Sequence, residues 1–149
     1  MHFEIEIQAP AKKVWAIMLE PDTYQQWTTA FGPTSYYEGS WEKGSRIRFL
    51  GAEGSGMVSE IAENKPFSYL SIKHLGMIRN GVEDTSSEDA KNWRNAFENY
   101  TFTEKGSVTR LEVDLNFEIT PESTDMKEMF EGMWPAALLK LKGMCEKKE

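Results

Sequence analysis

The 149-residue sequence contains one cysteine, two histidines and no long run of apolar residues. A single cysteine excludes an internal disulfide and fits a reducing compartment, so we expect a cytoplasmic protein. No segment approaches the roughly 18 apolar residues of a membrane-spanning helix, and Met1 to Ile5 lacks the pattern of a signal peptide. Basic residues are also few, since 17 stand against 24 acidic ones for a net charge of −7. Nucleic acid and membranes are therefore not expected partners, because both require a basic face.

The sequence motifs of common catalytic, metal and cofactor sites are lacking as well. The histidines and the cysteine lie far apart and give no metal-ligand spacing. The glycine-rich stretch Gly51 to Gly56 lacks the Lys-Ser/Thr of a phosphate loop, and we interpret it as a turn before a strand. No serine lies in a Gly-x-Ser-x-Gly motif, and Cys145 falls on an apolar helix face, as an inert core thiol does. We therefore predict no catalytic residue, no metal and no cofactor.

The strongest pattern in the chain is a long amphipathic stretch from Pro121 to Glu149. Its apolar residues recur with the i, i+3, i+4, i+7 spacing of one helix face: Met126, Met129, Phe130, Met133, Trp134, Ala137, Leu138, Leu141, Met144 and Cys145. Thr120-Pro121-Glu122 provides a start for this helix, and Asp125 with Glu128 provides a second candidate start. The pattern predicts a C-terminal helix of about five turns.

Pro135 interrupts this pattern. Inside a helix a proline removes one hydrogen bond and clashes with the carbonyl four residues earlier, here that of Glu131, at a cost of about 3 kcal/mol. Because Gly132 lies just before it, we expect a kink between two helical segments.

The preceding part of the chain shows mainly the period-two alternation of β-strands. Two short helices, Ala9 to Leu19 and Thr23 to Trp27 with Asp22 as a cap, follow a first strand at Phe3 to Ile7. Further strands are predicted at 35–37, 45–50, 56–61, 67–75, 96–103 and 108–119. We expect one α+β domain over residues 1–149, because a sheet with one apolar face must cover it and the terminal helix is the largest element available. The simplest architecture is a curved antiparallel sheet around a long kinked helix.

A polar insertion at 76–95 separates two of these strands. Thr85 and Glu88 form a capping box for a short helix that carries Trp93. Connections of this length inside a domain are often functional loops, so the insertion is our candidate lid over a binding site.

The sequence resembles the START-like (SRPBCC, birch-pollen-allergen) superfamily, and within it bacterial homologues of the activator of the heat-shock-protein-90 ATPase. The matching stretches span essentially the whole chain: Ala9 to Trp15, Tyr24 to Trp27, Trp41 to Ser45, Ile47 to Phe49, His74 to Gly76, Glu98 to Thr101 and Trp134 to Lys142. The resemblance implies the helix-grip fold. It leaves the function open, because the superfamily includes lipid carriers, polyketide cyclases, hydroxylase domains and co-chaperone domains.

A helix-grip protein carries its pocket between the concave face of the sheet and the long helix. Alternation places Leu111, Val113, Leu115 and Phe117 on that face, with His74, Glu98 and Tyr100 as polar groups among the apolar ones. We predict that Trp27, Met57, Trp93, Met133 and Trp134 close the space around them. The polar group either orients a ligand or moves a proton, or it is a structural hydrogen-bond network between strands, with His74 alternatively exposed at a strand end.

Binding of a small, largely apolar molecule is the function we expect. One alternative is a cyclase or hydrolase that uses His74 and Glu98 as acid and base. The other is a co-chaperone-like interaction module with a chaperone-type partner, a filled core and exposed Tyr36, Tyr37 or Trp41. The sequence leaves open whether side chains fill the pocket and whether the protein is a monomer or a homodimer.

Overall fold

The structure, a computed structural model, describes residues 1–94, 96–116 and 124–147, apart from the side chains of residues 89 and 124–127. Its strands and helices follow one another in this order: β1 (His2–Ile7), α1 (Ala11–Leu19), α2 (Pro21–Trp27), β2 (Tyr36–Gly39), β3 (Arg46–Leu50), β4 (Gly56–Lys65), β5 (Tyr69–Arg79), β6 (Val82–Asp84), α3 (Glu88–Trp93), β7 (Phe97–Lys105), β8 (Val108–Asn116) and α4 (Thr124–Glu146). Short 3-10 turns lie at Thr28–Phe31 and Ala52–Gly54.

The strands form one antiparallel sheet in the order β1-β8-β7-β5-β4-β3-β2, with β6 paired to β5. Long helix α4 packs against β1, α1, α2 and the first 3-10 turn. The α+β helix-grip fold is therefore confirmed. The predicted inward set of β8 is also confirmed over the described residues, because Leu111, Val113 and Leu115 are buried, while Phe117 lies outside them.

Helix α4 is one uninterrupted helix through Pro135 rather than two segments. Pro135 has no amide hydrogen to donate to the carbonyl of Glu131. Both residues lie on the exposed side of α4, so water can reach this part of the backbone. A bend at Pro135 stays a prediction. The start expected at Thr120-Pro121-Glu122 lies outside the described residues, as does the side chain of Asp125.

Among the described side chains, which do not include that of Met126, the buried side of α4 follows the predicted apolar spacing with one exception. Trp134, Ala137, Leu138, Leu141 and Cys145 are buried, whereas Met129 is 51% exposed, so its assignment to the core face is wrong. Burial raises the pKa of the Cys145 thiol to about 12, which agrees with an inert core cysteine. Among the described residues, no helix is both long and apolar enough to cross a membrane.

The insertion at 76–95 begins as sheet, because β5 extends to Arg79 and pairs with β6. The cap of α3 is Ser87, whose hydroxyl accepts a hydrogen bond from the Ala90 amide at 3.1 Å. The predicted capping residue Thr85 is therefore wrong. Asp22 likewise lies in the first turn of α2 and is not its cap, which is Glu20.

Candidate functional site

A partly open cavity of about 320 Å³ lies between the sheet and α4. Helices α1 and α2 and the first 3-10 turn form one side, strands β3, β4, β5, β7 and β8 form the other, and α4 covers it. Eight aromatic side chains contribute to its lining: Tyr24, Trp27, Phe31, Trp41, Phe49, Tyr100, Phe130 and Trp134. The volume is at the lower end of the range for small-molecule sites.

Ring contacts and backbone hydrogen bonds fix several of these aromatic side chains. The Phe31 and Trp134 ring centroids are 5.0 Å apart at 68°, an edge-to-face contact, which is a favoured geometry for aromatic pairs. The indole NH of Trp27 donates to the Met18 carbonyl at 3.1 Å, and that of Trp41 donates to the Leu19 carbonyl at 3.1 Å. The cavity wall is thus held in place before any ligand arrives.

A chain of polar side chains crosses three neighbouring strands at this wall. Ser59 Oγ lies 2.8 Å from His74 Nδ1, and His74 Nε2 lies 3.3 Å from Glu98 Oε1. The Tyr100 hydroxyl donates to the other oxygen of Glu98. A register shift between Val58 and Ser59 of β4 sets Ser59 opposite His74, as β-bulges often do near functional sites.

One assignment of protons that fits these distances keeps the imidazole neutral. Ser59 donates to His74 Nδ1, the neutral imidazole donates from Nε2 to Glu98, and Tyr100 donates to Glu98. His74, Glu98 and Tyr100 also line the cavity. The group is therefore a hydrogen-bond network between strands that is also part of the cavity wall, and its role in orienting a ligand or moving a proton stays a prediction.

The order hydroxyl, imidazole, carboxylate is that of a serine hydrolase, but the geometry differs from one. Ser59 is fully buried and is not among the lining residues, and the carboxylate is the end that faces the cavity. A nucleophile must reach the substrate, so Ser59 cannot serve as one for a molecule bound here.

Of the eight predicted site residues, six line the cavity: Trp27, Met57, His74, Glu98, Tyr100 and Trp134. Met133 and Trp93 are not among its lining residues. Met133 is half-buried on α4 beside Trp134, and Trp93 is half-buried at the end of α3. Ligand contact by any of the eight stays a prediction.

Sequence reasoning missed several lining aromatic residues. Tyr24 precedes Trp27 by three positions on α2, so helical spacing places both on one face. Phe49 alternates with Ile47 on one face of β3. The helical spacing on α2 and the alternation on β3 could therefore have identified Tyr24 and Phe49 from the sequence. Trp41, considered as an exposed residue of an interaction surface, is instead half-buried and contributes to the cavity wall.

A surface cluster on β1 and β8 has the residue types of a metal site but the charges of an ion-pair network. Ligand atoms of His2, Glu4 and Glu112 lie within 4.8 Å of one another. Arg110 lies 2.5 Å from Glu4 and 3.8 Å from Glu112, and its charge opposes a cation there. Hydrogen bonds to Asp114 and then Glu4 raise the pKa of His2, so the existing partners account for the cluster.

Tyr100 is expected to make the free energy of unfolding depend on pH in the alkaline range. Burial first, and then the charge and hydrogen bond of Glu98, raise the pKa of its hydroxyl well above the usual 10. The resulting stability is complete below pH 10, where the unfolded phenol is also protonated, and is lost as pH rises towards the folded value. We expect Tyr100→Phe to flatten the fall in unfolding free energy above pH 10 by about 1.4 kcal/mol per pH unit.

Urea unfolding of both proteins from pH 9 to 11 measures this difference. The lost hydrogen bond to Glu98 shifts the whole curve of the variant, so the slope and not the offset is the test. Parallel curves above pH 10 would show that Tyr100 is not held neutral by its surroundings.

The antiparallel sheet, the covering C-terminal helix and the cavity between them define a helix-grip protein. Residues 8–146 match the model of the family described as Activator of Hsp90 ATPase homolog 1-like protein, and the chain belongs to this family. The suspected resemblance is thus confirmed. No curated protein matches the sequence.

Solved structures share this fold at low sequence identity. Protein MLL2253 from Mesorhizobium loti has a TM-score of 0.75 at 16% identity, with coverage of 100% of this chain and 99% of that one. The Aha1 dimer from Colwellia psychrerythraea gives 0.75 at 17%, covering 98% and 95%. DynU16, from the dynemicin biosynthetic locus, gives 0.71 at 18%, covering 99% of this chain and 47% of its own. At these identities the likeness concerns the fold.

Proposed function

We propose that this protein binds a small, largely apolar molecule in the cavity between the sheet and α4. The observation that carries the proposal is the preformed 320 Å³ space, which is lined mainly by aromatic and aliphatic side chains and has the polar groups of His74, Glu98 and Tyr100 in its wall. Small-molecule sites combine apolar walls with a few convergent polar groups in this way. A lid role for the insertion at 76–95 and a cytoplasmic location belong to the same proposal.

The size of the cavity bears on whether side chains fill the core. A dry, closed void of 320 Å³ would cost about 8 kcal/mol at about 24 cal/mol per Å³. That cost is comparable with the whole net stability of a domain. The cavity is partly open, so water enters it, and an apolar ligand gains free energy by displacing that water from the aromatic walls.

Two other functions have weaker support. An acid–base enzyme would use His74 and Glu98 on a bound substrate, and a His74→Ala variant that keeps its activity would remove that assignment. A co-chaperone-like role, with a chaperone-type partner, would depend on an outer surface rather than the cavity. The Colwellia structure is described as a dimer, and the oligomeric state of this chain, monomer or homodimer, belongs with that question.

Binding of the neutral probe 2-naphthylmethanol tests the proposal. Isothermal titration calorimetry is expected to show one site in the wild type and at least a tenfold weaker affinity in Met57→Trp, because the indole fills space in the cavity wall. Met129→Trp is the matched control, since Met129 is 51% exposed on α4 and is not a lining residue. Its affinity should equal that of the wild type.

No binding to the wild type, or equal binding to all three folded proteins, would contradict the proposal. Native mass spectrometry of freshly purified protein, followed by organic extraction, adds the identity of any natural ligand. A stoichiometric molecule released on denaturation would support an occupied cavity.

A further inference from the structure

We propose that the ligand of this cavity is an organic cation, a protonated or quaternary amine attached to a small apolar, preferably aromatic, body. This inference rests on the binding function proposed above and specifies its chemistry. The observation behind it is the Glu98 carboxylate in a largely aromatic wall whose described lining residues include no lysine or arginine.

The negative charge at the cavity comes from Glu98. Glu98 is the one carboxylate among the described lining residues, and none of these residues is a lysine or an arginine. Among the described residues, His74 is the ion-pair partner of Glu98, with Nε2 lying 3.3 Å from Oε1. When Nδ1 accepts from Ser59, the imidazole of His74 is neutral and donates to Glu98 through Nε2, and this arrangement leaves the negative charge of the carboxylate in place.

The carboxylate of Glu98 is accessible to a ligand. Its side chain is 22% exposed, whereas that of His74 is 6% exposed, so the carboxylate is the more accessible polar group. His74 and Tyr100 use one acceptor position on each oxygen, and an ionised carboxylate has about four such positions. An ammonium group can therefore add a hydrogen bond or an ion pair without displacing either partner.

Aromatic rings in the cavity wall can also attract a cation. Ring faces carry negative electrostatic potential and attract cations within about 6 Å of the centroid, most strongly for tryptophan and tyrosine. Tyr24, Trp27, Trp41, Tyr100 and Trp134 supply such rings around the cavity. Tyr24 lies with its centroid 5.7 Å from that of Trp27 and 6.3 Å from that of Trp41. The apolar body of a ligand and its positive charge can thus both be satisfied by the same wall.

The field of Glu98 extends across the cavity. Burial is the largest cause of the raised pKa of Tyr100 on β7 and of Tyr24 on α2, and the charge of Glu98 is the second cause for both. The net charge of −7 adds a long-range attraction for cations. A fatty acid or a phosphate ester would instead face Glu98, with no lysine or arginine among the described lining residues to hold it.

Three probes that differ mainly in charge test the inference by calorimetry at pH 7: 2-naphthylmethylammonium, 2-naphthylmethanol and 2-naphthoate. We expect the ammonium to bind at least tenfold more tightly than the alcohol, and the naphthoate to bind more weakly than both. Glu98→Gln should remove the advantage of the ammonium while it changes the affinity for the alcohol less than about twofold. Glu38→Gln, an exposed position on β2 outside the lining, is the matched control and should retain the advantage.

The possible results distinguish the choice of an organic cation from the more general proposal that the cavity binds an apolar molecule. Binding of the alcohol with no preference for the ammonium in the wild type would overturn the organic-cation assignment and leave apolar binding intact. A preference that survives in Glu98→Gln would overturn the role of Glu98. Failure of all three probes to bind would count against both proposals. Should Glu98→Gln not fold, Glu98→Asp keeps the charge and is expected to keep the preference, and loss of the preference there would oppose the assignment.

Discussion

Replacing Leu141 with alanine is expected to lower the free energy of unfolding by about 3 kcal/mol. Leu141 is fully buried on the inner side of α4, within the core cluster that also holds Leu111 and Val113 of β8 and Val14 of α1. Truncation removes apolar contacts and leaves a cavity that the surrounding elements cannot easily close. Urea denaturation followed by circular dichroism measures the change.

Leu139→Ala provides the control for this prediction. Leu139 lies two positions earlier on α4 and is 62% exposed, so the same substitution should change stability by less than about 0.5 kcal/mol. Similar losses in the two variants would contradict the orientation of α4 described above. A large difference would confirm that one face of this helix holds the sheet.

The elements that the sequence predicted best are those with a sustained period. In β8, alternation alone placed Leu111, Val113 and Leu115 on one face, and the 3.6-residue pattern placed Leu138 and Leu141 together on α4. Periodicity is informative there because burial on one face must repeat along the whole element. Met129, near the start of α4, followed the same spacing and is nevertheless exposed. Spacing specifies a face of a helix but not how far along the helix that face is covered.

The insertion at 76–95 was predicted less well for a reason of tertiary structure. The strand was predicted to end at Leu75 and the insertion to begin at Gly76, yet β5 continues through this glycine to Arg79. A Cβ at this position would lie 2.3 Å from the carbonyl oxygen of Asp84. The glycine thus permits the close approach of the segment after β6, a long-range requirement that local sequence does not reveal.

The candidate site shows the same division between local and long-range information. Strand parity predicted that His74, Glu98 and Tyr100 share a wall, and their hydrogen bonds bear this out. Ser59 was missed because a register shift in β4 sets it opposite His74, and bulges have no clear signal in a single sequence. The cavity itself depends on how far α2 and α4 stand from the sheet, which no residue pattern specifies.

The accessible end of the polar chain argues against Ser59 as a nucleophile. A serine hydrolase would present its hydroxyl to the cavity and bury its carboxylate, whereas this protein buries Ser59 and presents Glu98. A fixed carboxylate among aromatic rings can orient a ligand without any bond being made or broken. The geometry opposes a serine-hydrolase mechanism through Ser59 and leaves the acid–base alternative with His74 and Glu98 to the test of His74→Ala.

Replacing Gly56 with alanine is expected to destabilise the protein by about 3 kcal/mol or more, the largest effect for the addition of a single methyl group. A Cβ at Gly56 would lie 1.8 Å from the carbonyl oxygen of Phe49 and 2.8 Å from its carbonyl carbon. These are backbone atoms of the paired strand β3, so relief requires the two strands to separate. Chemical denaturation measures the loss.

Gly143→Ala is the matched control, because a Cβ added there on α4 meets no described atom within 4 Å apart from the adjacent residues and the nearby backbone of the helix itself. Alanine in a helix interior should raise stability by about 0.5–1 kcal/mol. Since Phe49 and Gly56 both line the cavity, Gly56→Ala should also weaken 2-naphthylmethanol binding, whereas Gly143→Ala should not. If Gly56→Ala were as stable as the wild type, β3 and β4 could not approach as closely as described, and this wall of the cavity would have a different shape.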